Sequence, residues 1–251
     1  MAGVGSRGGY PALEGIGCEE CHGPGSKHVE ASTTEERLAN ITRVPPVEIT
    51  CLDCHAPSYK QLRTATVPAS DDSLRNTAPS SITIHRPPLL TGQMLYNRAD
   101  EPGPHATIEN SCVACHMKYE TALNGKMDHS DEMLHPDIDT TQTACASCHG
   151  GRSEQFIQVG VREQLIELGG EVDGEPDGTA AGGLLGAYAA AHSDVIQLDG
   201  TNNNPDNAYV KIYKAARYNY QYVLHDGSLG VHNPGLAKEL LEEARAMLEE
   251  D

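Results

Sequence analysis

Every cysteine in the 251-residue chain belongs to one of four matching constellations: Cys18-Glu-Glu-Cys21-His22, Cys51-Leu-Asp-Cys54-His55, Cys112-Val-Ala-Cys115-His116 and Cys145-Ala-Ser-Cys148-His149. Within one helical turn, two thiols three residues apart face the same way, and a histidine follows the second at once. This spacing lets the two sulfurs form thioethers to the vinyl groups of one porphyrin, with the adjacent imidazole under the iron as its proximal ligand. Four covalent c-type haems are therefore expected, with His22, His55, His116 and His149 on their irons. Paired C-x-x-C units also build zinc sites, and an even cysteine count in an exported chain can mean disulfides. Neither demands a histidine at the fifth position each time, and histidine is only 12 of 251 residues.

Closing the second face of each iron takes four further ligands. Eight histidines remain for this: His28, His85, His105, His129, His135, His192, His225 and His232. Methionine is the other candidate, but Met94, Met117, Met127, Met133 and Met247 lack a recurring context, and Met117 follows its own proximal His116 and cannot reach the opposite face.

The elements that must position these groups are sparse. There is no Trp, one Phe (Phe156), and mean hydropathy is -0.45. A chain this long ordinarily buries a continuous apolar core. At roughly 63 residues per haem, no haem could have a globule to itself, so the expected architecture is a polypeptide shell around a packed haem array. The formal charge of -18 argues against nucleic acid and anionic membranes as partners, and for cationic or metal-bearing ones. No apolar run reaches the 18 or so residues that span a bilayer. The N-terminus, MAGVGSRGGYPALEG, lacks the basic and apolar regions of a secretory signal. Because haem is attached covalently outside the cytoplasm, a periplasmic or extracellular location is expected, with an export signal removed or the chain a fragment.

In chain order, residues 1–17 read as a Gly-rich arm. The turn at Gly23-Pro24-Gly25 could return His28 toward a haem. Residues 31–40 predict a short helix capped by Ser32 or Thr33, with Glu35 and Glu36 at its positive end. His22 and His55 are 33 residues apart, as are His116 and His149, which suggests dihaem units at 18–55 and 112–149. The spacer 56–111 reads as loop wrapped around haem. Helical patterns begin after residue 150. Gln155 to Leu168, with Phe156, Val159, Leu165 and Leu168 apolar, stops at Gly169-Gly170. Leu184 to His192 is Ala-rich. Asp206 to Leu224 carries Tyr209, Ile212, Tyr213, Ala216, Tyr220 and Val223 as an amphipathic stripe, to pack on haem or form ordinary core. Asn233 caps and Pro234 opens a last helix, Leu236 to Leu248. The expected fold is thus mainly α with much irregular loop, divided into a haem-binding region 1–150 and a C-terminal helical region 151–251 that covers the haems and supplies a distal histidine.

The stretches GIGCEECHGPGSKH, SCVACHM with His105 upstream, and DGSLGVHNP resemble multihaem c-type cytochromes related to the tetrahaem cytochromes of ammonia oxidation and the pentahaem nitrite reductases. The resemblance implies distal ligation by His28, from C-H-G-P-G-S-x-H, and by His232, from V-H-N-P. It also points to His105, to His135 beyond the third motif, and to His85 in IHRPPLLTGQM. His129, His192 and His225 are expected to be exposed or to pair with haem propionates. The chain departs from the nitrite reductases in having no C-x-x-C-K, and four motifs are too few for the hydroxylamine-oxidising relatives.

These residues predict an electron carrier without catalytic residues, passing electrons along four bis-histidine haems of low potential to redox-partner proteins or extracellular acceptors. The resemblance extends to extracellular tetrahaem cytochromes that polymerise head to tail, implying a homopolymeric filament. The alternative is a reductase of nitrite, hydroxylamine or a similar oxyanion, which needs one iron with an open position.

Overall fold

The computed structural model of the chain describes residues 25–40, 89–109, 155–198 and 204–250, together with 111, 115, 120, 121, 127, 128 and 149. These residues are mainly helical. The chain divides into two compact units, Met1–Thr50 and Cys51–Asp251.

In the first unit, α1 (Ser26–Glu30) and α2 (Thr34–Ala39) are both short. Thr33 caps α2: its hydroxyl accepts from the Glu36 N–H, and the Glu36 carboxylate accepts from the Thr33 N–H at 3.2 Å. This reciprocal box satisfies two donors that the first turn would leave unpaired, and it fulfils the expectation for residues 31–40.

In the second unit, two-residue strands form antiparallel pairs, β1 (Glu120–Thr121) with β2 (Met127–Asp128) and β3 (Glu171–Val172) with β4 (Glu175–Pro176). The helices are α3 (Gln155–Gly169), α4 (Gly183–Ala191), α5 (Ala208–Asp226) and α6 (Pro234–Glu249). All lie within a residue or two of the expected bounds. Asn233 caps α6, accepting from the Leu236 N–H at 3.3 Å. No helix among the described residues is long and apolar enough to cross a membrane.

α5 is the axis of this unit. It packs most extensively on α6, through Leu236, Leu240, Leu241 and Ala244, and α3 adds Val161, Leu165 and Leu168. The expectation that haem supplies most of the missing apolar mass is corrected for the described region beyond residue 155, where Leu, Ala and Tyr residues bury one another. Tyr213, Tyr220 and Tyr222 are fully buried by protein alone, at about 1.5–3 kcal/mol for each large apolar side chain. Val161, not the half-exposed Val159, faces this core.

The amphipathic reading of α5 is also corrected. Lys214, Arg217, Asn219 and Gln221 are buried along with the apolar stripe. Donors on α5 hold a run of loop carbonyls: Tyr220 Oη donates to Asp177 O (2.7 Å), Gln221 Nε2 to Gly178 O (2.9 Å) and Arg217 Nη1 to Thr179 O (2.6 Å). On another side, Tyr218 Oη donates to Met94 O and Tyr222 Oη to Gln93 O, both at 2.5 Å. Carbonyls without a ladder partner need such bonds, and α5 provides them to these loops. The described part of the spacer, 89–109, therefore wraps protein: Leu89 and Leu95 enter the core, and Arg98 joins Glu101 to Glu239 and Glu243 of α6.

Candidate haem-ligand centre

Three of the expected distal histidines are among the described residues, and each is held in the same way. His28, half-buried in the last turn of α1, has Nδ1 2.9 Å from the Arg37 carbonyl of α2. His105 lies in a 3-10 turn, Pro104–Thr107, with Nδ1 2.8 Å from the Val231 carbonyl. His232 has Nδ1 2.9 and 3.0 Å from the two carboxylate oxygens of Asp226. Opposite an acceptor, the proton of a neutral imidazole sits on Nδ1, and Nε2 keeps the lone pair a metal binds. Iron-bound histidines characteristically donate their other N–H to a carbonyl or carboxylate, which fixes the tautomer and the ring. The donor set therefore fits a haem iron.

Local backbone explains how two of these rings come together. α5 ends on Asp226, and Gly227 (φ 76°) takes the left-handed conformation that a side chain disfavours, turning the chain back on itself. In this turn the Ser228 N–H donates to Asp226 Oδ2 (3.3 Å), and the His232 N–H donates to Ser228 Oγ (3.2 Å). The Asp226 side chain is 4% exposed, and that of His232 is 32% exposed. Burial works against a charged imidazolium here, but the hydrogen bond to Asp226 and its charge outweigh burial and raise the His232 pKa above its ordinary value. The 101–105 segment docks on the same loop: Asn233 Nδ2 donates to Glu101 O (2.9 Å), and a Cβ on Gly103 would meet the Asn233 side chain at 2.8 Å. Loop 226–233 thus carries one candidate ligand and orients another.

His149, the histidine of the fourth motif, is exposed, and its ring stands at 89° to that of His105 with centroids 6.0 Å apart. Cys115 of the third motif is half-buried. Cys18, Cys21, His22, Cys51, Cys54, His55, His85, Cys112, His116, His135, Cys145 and Cys148 lie outside the described residues, as does His129. Of the histidines expected to be peripheral, His192 stacks on Tyr209 (4.0 Å, 16°) and packs against Tyr188 (4.6 Å), whereas His225 is half-buried with Nε2 shielded from solvent.

Sequence reasoning did not single out Asp226 or Val231. The signal for Asp226 was present in DGSLGVHNP, where a carboxylate precedes the histidine across a Gly-rich turn. A backbone carbonyl such as that of Val231 leaves no such trace.

No curated protein matches this chain. Solved structures similar to it include two cytochromes. One is an outer cell wall cytochrome, OcwA, at 24% identity and TM-score 0.42, over 92% of this chain and 45% of that one. The other is an undecahaem cytochrome from the S-layer of Carboxydothermus ferrireducens, at 17% identity and TM-score 0.49, over 94% of this chain and 32% of that one. This chain spans less than half the length of either. The model of the cytochrome c552 family matches residues 96–250, which hold the third and fourth motifs, His105, all of α3 to α6 and His232. With more than half of its length so matched, the chain belongs to the cytochrome c552 family and carries covalently bound haem c.

Proposed function

We propose that this chain is an electron-transfer protein holding four c-type haems, each closed by two histidines, so that electrons pass singly from one to the next. Cys18 and Cys21, Cys51 and Cys54, Cys112 and Cys115, and Cys145 and Cys148 anchor the porphyrins. His22, His55, His116 and His149 hold the proximal faces, and His28, His105, His135 and His232, with His85 in reserve, supply the distal ones. The observation that carries this reading is the shared anchoring of His28, His105 and His232 through Nδ1, which presents Nε2 to a metal. Two strong imidazole ligands leave no position for a substrate, and without the potential-raising methionine they favour low potentials. Region 1–150 bears the attachment sites, and region 151–251 stiffens the distal side through α5, α6 and loop 226–233.

An exported location follows from the chemistry of covalent attachment, with redox proteins or extracellular acceptors as partners. Assembly of copies into a filament extends this function, and a chain that scatters light as a monomer at all concentrations would remove it. The test of the function is the low-temperature EPR spectrum of the fully oxidised protein, loaded with four haems per chain. Low-spin ferric signals alone are expected. A high-spin signal near one haem equivalent would refute the closed array and put a reductase of a small nitrogen oxyanion in its place.

A further inference from the structure

We infer that Asn233 is a positioning residue for His105: its side chain pins the 101–105 segment against loop 226–233 and so fixes where the His105 ring stands. The inference rests on the proposed distal role of His105 and goes beyond it by naming a side chain, itself no ligand, on which that role depends.

The His105 ring needs such a tie. It sits on a four-residue 3-10 turn, Pro104–Thr107, none of whose residues is buried, so no packing in the core locates it. The bond from Nδ1 to the Val231 carbonyl aims the ring, but one hydrogen bond at the ring does not hold the backbone behind it. The Glu101 N–H donates to Gly92 O (2.9 Å) and the Gly103 N–H to Leu90 O (3.0 Å), which joins the segment to its own neighbours in the spacer and not to the loop. The bridges from Arg98 to Glu239 and Glu243 are part-exposed ion pairs, which contribute little.

Asn233 supplies the tie. It is 5% exposed, and both of its polar atoms are in use: Oδ1 accepts the Leu236 N–H at 3.3 Å, and Nδ2 donates to Glu101 O at 2.9 Å. Capping a helix takes only an acceptor, which serine or aspartate provides as well. Asparagine adds a donor, and that donor goes to the 101–105 segment. Gly103 is a second, independent sign of the same contact. Its backbone, at φ -73° and ψ 165°, suits any residue. A Cβ there would nevertheless stand 2.8 Å from Asn233 Cγ, 2.9 Å from Asn233 Cβ and 3.0 Å from the His232 carbonyl oxygen. Space, not conformation, requires the glycine. Residues 101, 103 and 105 thus meet 233, then 232 and 233, then 231, as two stretches running in opposite directions.

The test uses the haem-loaded full chain, reduced and titrated with carbon monoxide, which binds a ferrous haem where the distal ligand gives way. Asn233→Ser keeps a capping oxygen for α6 but loses the amide that reaches Glu101, and Gly103→Ala forces the same two stretches apart from the other side. Each should raise the carbon monoxide affinity of one haem by about 3- to 10-fold, the change that one net hydrogen bond corresponds to, with the helices intact by circular dichroism. In a His105→Ala background, where that haem is already open, Asn233→Ser should add nothing. An affinity within about twofold of the unaltered protein in folded Asn233→Ser, or an effect that persists undiminished in the His105→Ala background, overturns the inference and leaves the bis-histidine array standing. A haem already open to carbon monoxide in the unaltered protein, or a His105→Ala variant that opens none, overturns the reading on which it rests and the inference with it.

Discussion

Replacing Asp226 by asparagine isolates the effect of one buried charge on one haem. The carboxylate has both oxygens within 3.0 Å of His232 Nδ1 and also accepts the Ser228 N–H at 3.3 Å. Asparagine keeps the shape and one acceptor oxygen, so the ring should stay in place, but it removes the negative charge. A hydrogen bond to a charged group contributes about 1.5–3 kcal/mol, against about 0.5–1.5 kcal/mol for a neutral one. The difference is about 1 kcal/mol, and it favours the ferric state, whose extra positive charge draws most on the electron-rich imidazole. For a one-electron couple, 59 mV corresponds to a tenfold change, or about 1.4 kcal/mol, so Asp226→Asn should raise one midpoint potential by about 40 mV. The assay is a spectroelectrochemical titration of the haem-loaded protein, resolved into its components and repeated for the variant, with far-UV circular dichroism as the control for folding. One component should move up and the others should stay. Components all unchanged within about 10 mV in a folded variant would refute the claim that Asp226 acts on an iron through His232.

Two other predictions concern the scaffold. Tyr222→Phe removes the buried hydroxyl that satisfies the Gln93 carbonyl; leaving that carbonyl unpaired should cost about 1–3 kcal/mol in chemical denaturation, and a loss under about 0.5 kcal/mol would show that water replaces the bond. The second prediction concerns alkaline pH. Burial raises the phenol pKa of Tyr213, Tyr218, Tyr220 and Tyr222 above the ordinary value near 10. A raised folded pKa means that these rings contribute fully below the unfolded value and oppose folding once the unfolded chain can ionise them. Stability should then fall steeply above about pH 10, with cooperative loss of helix by circular dichroism. Gradual tyrosine ionisation in that range with the helices intact would contradict it.

The helix ends were legible because local chemistry makes them: the Thr33–Glu36 box, the Gly169-Gly170 stop and the Asn233-Pro234 start act within one turn of chain. The surroundings of α5 were not, because a periodicity argument reads Arg217 and Gln221 as a wet face, whereas their partners are the Thr179 and Gly178 carbonyls about forty residues back. The low overall hydropathy concealed how unevenly the apolar residues are distributed along the chain. At the site, the motif spacing singled out His149, and a resemblance suggested His28, His105 and His232. The groups that aim these rings are a turn carboxylate and two backbone carbonyls, and only the first has a residue type to betray it.

The dependence of the 89–109 segment on α5 also sets an order of events. The Gln93 and Met94 carbonyls and the His105 ring are held by Tyr222, Tyr218 and Val231, more than a hundred residues further along. A chain made from its N-terminus presents all four C-x-x-C-H motifs before that helix exists. Thioether chemistry then meets cysteines on a chain whose C-terminal helices are not yet built, and the His105 ring takes its place against Val231 only when they close. Attachment at the cysteines therefore precedes the packing that fixes the His105 ring.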